Sequence, residues 1–332
     1  MNLPHPAGAA APAATHCEGA LAHVPITIFA TVMGVAGLGL AWRKASSILG
    51  LPAVVGEAIL ILAAALFVAV SITYVLKFVR FPQVVKGELN HPIRSSFFAT
   101  FPISVLLLAT GLHPYSPSGA FVLWVVGAVV QLMVTIRVFA RWMIHKQEIA
   151  HANPAWFIPV VGNIIVPILG ARLGQMDVSW FFFSVGILFW MPLLAIVLNR
   201  VIFHDDLPPR LAPTLFILVP PPAIGYLAYA SLIGGEDPFA TVLVNVALFT
   251  TLVLLVQAPR FARLPFAVSW WAFTFPLDAA ALAALEHAHH QPGNWMYAAA
   301  APVLLGLATA VVAVVLARTA AGTMKGTLFV PE

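Results

Sequence analysis

The chain has 332 residues, of which 61% are hydrophobic and only 8% charged, and its mean hydropathy is +0.97. A soluble domain carries about 25% charged residues, so 16 basic and 12 acidic side chains cannot cover a water-facing surface for 35.4 kDa. A soluble enzyme and a disordered chain are thereby excluded. A nucleic-acid binder is too, because the net charge is +4 and no basic patch interleaves with aromatics. The composition is that of a polytopic membrane protein.

The N-terminal residues 1–24 are rich in Ala and Pro and are read as a flexible tail. Met1–His23 holds no Lys or Arg, so it lacks the basic start of a signal peptide. Cys17 is the single cysteine, which leaves no intrachain disulfide and no cysteine metal cluster.

About 20 apolar residues span a bilayer as a helix. Ten segments qualify, at about 25–42, 52–79, 95–112, 119–144, 156–174, 178–202, 212–234, 237–258, 265–287 and 295–317. The transmembrane domain is expected over 25–320, followed by a short C-terminal tail over 321–332. Of the 16 Lys and Arg, only Arg43, Lys44 and Arg172 fall on the side opposite the termini. The positive-inside rule then puts both termini in the cytoplasm, in an inner cell membrane.

Prolines recur in alternate segments. Pro102, Pro159, Pro221 and Pro276 are separated by 57, 62 and 55 residues, about one helical hairpin each. A proline inside a helix removes a hydrogen bond, and in a membrane the freed carbonyl needs a protein partner or a wet cavity. Any one of these prolines is equally well explained by packing. The alternating set predicts five hairpin repeats, with odd helices around a central pore and even helices facing lipid.

Enzyme signatures are absent: there is no phosphate-binding glycine loop, no HExxH and no nucleophile elbow. The cluster Glu286, His287, His289 and His290 reads as a solvated interfacial loop rather than a metal site, and no cofactor is expected. Intramembrane charge is costly and therefore informative. Asp278 stands out, two residues beyond Pro276 in the ninth segment, as either a proton-coupling carboxyl or a structural hydrogen-bonding group. Phe275, just before the kink, is placed to close a path. Gly34, Ser104, Asn163 and Thr274 supply small or polar groups along it. No ring of fixed positive charge is evident among the odd helices, so anions would be held weakly.

Four stretches, Phe29–Trp42 (FATVMGVAGLGLAW), His91–Pro102 (HPIRSSFFATFP), Asn153–Asn163 (NPAWFIPVVGN) and Ser269–Pro276 (SWWAFTFP), occur in order on a ten-segment chain. Together they resemble the tellurite-resistance / C4-dicarboxylate transporter family, which includes the plant slow anion channels. The resemblance covers about residues 25–320. It implies five hairpins in quasi-fivefold arrangement, a homotrimer with one pore per subunit, and either conduction of small anions or export of organic acids, sulfite or related oxyanions. It also implies a phenylalanine gate, which falls on Phe275.

Two positions depart from the pattern. Ala30-Thr31-Val32 stands where bacterial channel relatives have Gly-Ile-Pro, so the first helix is expected to lack a kink. Asp278 stands where a small apolar residue is usual. A gated anion channel is the leading reading, a proton-coupled exporter of dicarboxylates or oxyanions the second, and a scaffold or sensor without transport the third.

Overall fold

The computed structural model describes residues 15–329, and every regular element among them is helical. Ten apolar segments follow one another: α1 (Ile26–Leu49), α2 (Ala53–Arg80), α3 (Arg94–Leu112), α4 (Pro117–Ile144), α5 (Pro154–Gly170), α6 (Met176–Phe203), α7 (Ala212–Ile233), α8 (Pro238–Val256), α9 (Val268–His290) and α10 (Trp295–Met324). All but α5 are long and apolar enough to cross a membrane, so the chain is a multi-pass membrane protein. The ten full spans read from hydropathy are nine here, plus the shorter, interrupted α5. Of the expected N-terminal tail, residues 1–14 lie outside the described residues and Thr15–Ala22 forms a short helix. Of the expected C-terminal tail, 330–332 lie outside them, and α10 continues to Met324.

Burial alternates along the chain. In their most apolar stretches, α1, α3, α7 and α9 bury 67–72% of residues, whereas α2, α4, α6, α8 and α10 bury 17–33%. Segment α5 is buried almost throughout. The odd segments thus form the interior, and the even ones expose Val, Ile, Leu and Phe outward.

The odd segments share a second feature that corrects the proline reading. Each begins with 3-10 turns: Ile26–Phe29, Arg94–Ala99, Pro154–Trp156, Ala212–Leu218 and Val268–Phe273. An α-helix then starts at Ala30, Thr100, Phe157, Pro220 and Thr274. Pro102, Pro159, Pro221 and Pro276 all fall within the first three residues of those α-helices. There a missing N–H removes no α-helical hydrogen bond, and the fixed φ favours helix entry. The prolines therefore mark junctions and do not break helices midway. Even α1, which has no proline at this point, carries the junction. Packing anchors it instead: the Phe29 ring lies 5.2 Å from Phe101, 6.0 Å from Tyr74 and 6.1 Å from Phe67, centroid to centroid.

Segment α5 is interrupted by a further 3-10 stretch, Gly162–Ile165, and its backbone acceptors are met by side chains of α4. Gln131 Nε2 and Thr135 Oγ1 donate to the Pro159 carbonyl at 2.9 and 2.6 Å. Trp124 Nε1 donates to the Val166 carbonyl at 2.9 Å. Irregular backbone survives at membrane depth only when protein groups satisfy it in this way.

Candidate functional site

The N-terminal halves of the five odd segments enclose a cavity of about 880 Å³. Its deepest lining residues are Met33 on α1, Ile103 on α3, Ile165 on α5, Ile224 on α7 and Pro276 on α9. Toward the mouth the wall becomes polar, with His23, His91, Arg94, Arg210 and Ser269. Arg94 opens α3 and Arg210 precedes α7, so fixed positive charge does face this space, a point the segment boundaries concealed. Glu88 also reaches the wall, but its carboxylate is engaged. Lys77 Nζ donates to Glu88 Oε1 at 2.7 Å and to the Val24 carbonyl at 2.7 Å, while Tyr74 donates to Glu88 Oε2 at 2.8 Å. Lys77, one of the bases on the side of the termini, is fully buried.

Of the residues singled out in sequence, Phe275, Pro276 and Pro221 line the cavity. Phe275 sits at its deep end with 7% exposure. The remaining residues lie behind the wall, where neighbouring helices occupy their polar groups. Ser104 Oγ donates to Thr100 O at 2.7 Å and Phe29 O at 3.2 Å. Asn163 Nδ2 turns toward α4 and donates to Thr135 Oγ1 at 2.9 Å, and also to Val160 O at 2.7 Å. Thr274 Oγ1 returns to Trp271 O at 2.8 Å. Pro102 and Pro159 are buried in helix packing. Polar wall positions come instead from Thr27, Thr100 and Thr214.

Beyond Phe275 the α1–α9 contact closes. Gly34 faces Thr274, and Gly37 faces both Phe275 and Asp278; a methyl group on Gly37 would stand 3.1 Å from Phe275 Cδ2 and 2.9 Å from Asp278 Oδ2. Asp278 is fully buried, and neither carboxyl oxygen has a hydrogen-bond partner among the described residues. It is thus neither salt-bridged nor part of a structural hydrogen bond there.

At the far ends of the odd helices the histidine cluster proves to be helical and partly buried rather than a solvated loop. His287 has 1% exposure and lies 2.8 Å from Glu236, with its ring 4.2 Å from that of Tyr297. Tyr226 donates to the same Glu236, and Lys44 pairs with Glu286. Arg43 bridges α1 to α2 and α3 through Glu57 at 2.6 Å and the Gly111 carbonyl at 2.8 Å. Among the described residues no three His, Cys, Asp or Glu gather as a metal site.

The sequence also carries a repeated tripeptide at these junctions. Thr-Phe-Pro occurs twice, at Thr100–Pro102 and Thr274–Pro276, each time at a 3-10 to α junction. Both threonines bond back to the carbonyl three residues earlier, Phe97 at 2.6 Å and Trp271 at 2.8 Å. Phe101 and Phe275 therefore hold matching places on α3 and α9, yet Phe101 packs among aromatics and only Phe275 meets the cavity.

A cavity walled by buried helices and jacketed by exposed ones is the architecture of a membrane channel or carrier. The voltage-dependent anion channel family model matches residues 23–320, and the chain belongs to that family. It is 29% identical over 276 residues to the S-type anion channel SLAH3 of Arabidopsis thaliana, covering 81% of this chain and 44% of that one. It is 26% identical to the guard cell S-type anion channel SLAC1 of the same plant, covering 90% and 56%. The tellurite resistance protein TehA homolog of Haemophilus influenzae is 28% identical, covering 80% and 82%. The chain spans about half the length of the plant relatives it matches.

Proposed function

We propose that this protein passes small anions across a membrane through the axis of its odd-numbered helices, with Phe275 as the gate. The observation that carries this reading is the cavity itself. It is walled by all five odd segments and ends at Phe275, where α1 and α9 close together. The Thr, Ile and Pro walls deeper in hold anions only weakly. Weak binding favours conduction over retention. The relatives named as anion channels support the choice of ion.

In this reading the ten segments form five hairpins around the path, α5 completing the ring despite its short length. The chain sits in the inner cell membrane as a homotrimer with both termini cytoplasmic, so the cavity opens to the cytoplasm. Vesicle flux across a panel of anions tests it: Phe275→Ala raises flux above wild type. Equal flux in the two forms removes Phe275 as the gate, and no flux of any anion in either form removes transport.

Asp278 favours a second reading. A buried carboxyl without a partner is costly to retain, and it lies next to the gate on the same helix. As a proton-coupling group it would make the protein an exporter of dicarboxylates or oxyanions. Flux driven by a pH gradient and abolished in Asp278→Asn selects this reading; unaltered flux in that variant selects the channel.

A further inference from the structure

A second cavity, of about 480 Å³, lies on the outside of α4, where its end meets the helix Pro82–Asn90 and the start of α3. Its wall includes Arg137 and Arg141, one turn apart on α4, together with Asn90 and with the apolar Met133, Ile136 and Ile144. Those three apolar side chains are 55–75% exposed on a helix that faces away from the protein interior, so in a bilayer they meet acyl chains. Both guanidinium groups turn to one neutral acceptor. Arg137 Nη2 donates to Asn90 Oδ1 at 3.2 Å and Arg141 Nη1 to the same oxygen at 3.5 Å. Arg141 Nε is buried and has no hydrogen-bond partner. Among the described residues no Asp or Glu lines this cavity.

Two other interfacial arginines are paired with carboxylates, Arg43 with Glu57 and Arg260 with Asp206. Arginine side chains at the end of a membrane helix ordinarily reach out to water. That accounts for Arg137, which is exposed, but not for a buried, unpartnered Nε on Arg141. A guanidinium is permanently charged, and its planar set of donors matches an anionic oxygen pair. Two of them over an apolar surface, at the end of the bundle richest in Lys and Arg, fit a ligand with an anionic head and a hydrocarbon body. Basic pockets between membrane helices recognise lipid headgroups in this manner.

We infer that this cavity binds an anionic phospholipid, its phosphate on Arg137 and Arg141 and its acyl chains along Met133, Ile136 and Ile144. The site stands apart from the anion path, which lies on the other side of α3, and does not depend on how that path works.

Native mass spectrometry of the full chain in detergent, titrated with phosphatidylglycerol or phosphatidylcholine, tests the assignment. Wild type retains phosphatidylglycerol at about tenfold lower lipid concentration than phosphatidylcholine. The double variant Arg137→Gln/Arg141→Gln binds both alike, and Arg137→Lys/Arg141→Lys retains part of the preference. Equal retention of the two lipids by wild type overturns the inference, and that arm needs no variant to fold. An undiminished preference in the Gln variant also overturns it. So does a change of oligomeric mass in that variant with lipid binding intact, which would make the patch a subunit contact. Heat stabilisation by inorganic phosphate alone, lost in the Gln variant, would assign the pair to a soluble anion instead.

Discussion

Gly37 of α1 lies directly against Phe275 of α9, so closely that a β-carbon on the glycine would come within 3.1 Å of the ring. Phe275, the proposed gate, is therefore backed by a position with no room for a side chain, and the two are expected to act as a unit.

Gly37→Ala should destabilise the protein by about 1–3 kcal/mol, the usual cost of overpacking a tight interior. Phe275→Ala in the same chain should recover part of that loss, because it removes one of the atoms the new methyl meets. Thermal unfolding of the two single variants and the double in detergent measures the coupling. Strict additivity would mean that the two residues do not bear on each other. In flux, Phe275→Ala alone should give about tenfold or more, equivalent to lowering a barrier by about 1.4 kcal/mol.

Asp278→Ala should raise the thermal midpoint. Leaving a buried polar group unsatisfied costs about 1–3 kcal/mol, and alanine at this position removes both unpartnered oxygens while leaving Gly37 its space. A lower midpoint would show that the carboxyl has a stabilising partner in solution.

Thr135→Val and Gln131→Leu should each cost about 1–3 kcal/mol, since each withdraws a donor from the buried Pro159 carbonyl. Because they share that acceptor, the double variant should cost more than the sum of the two. Unfolding midpoints that shift less than those of an exposed control such as Thr323→Val would refute a role for α4 in holding α5.

Lys77→Met should be among the most damaging single changes, at about 3–5 kcal/mol, because it strands the Glu88 carboxylate and the Val24 carbonyl in a buried site. Lys77→Met/Glu88→Leu should be markedly more stable than Lys77→Met alone. Failure of the second change to restore stability would mean that the pair is not the cause of the loss.

What the sequence determined by itself follows from the solvent. A hydrocarbon interior favours long apolar helices, so hydropathy alone was enough to locate nine long helices and to identify the chain as a membrane protein, though not to show that α5 is short and interrupted. The spacing of Pro102, Pro159, Pro221 and Pro276 was enough to separate odd from even segments, because each proline belongs to the same junction in its own segment. Phe275 and Pro221, singled out at these junctions, line the cavity.

What only the tertiary structure decided is rotation and partnership. The odd helices are buried around most of their circumference and carry no polar stripe, so nothing in the periodicity says which side of Asn163 or Ser104 faces a cavity. Both turn to neighbouring helices, where carbonyls and hydroxyls meet them. The pairing of His287 with Glu236, 51 residues apart, and of Lys77 with Glu88 arises where helix ends meet. The same holds for the arginines Arg94 and Arg210, which the sequence places in loops and the fold turns toward the mouth of the cavity. Local composition indicates which segments enter the membrane, but the direction each polar group points depends on which neighbour can satisfy it.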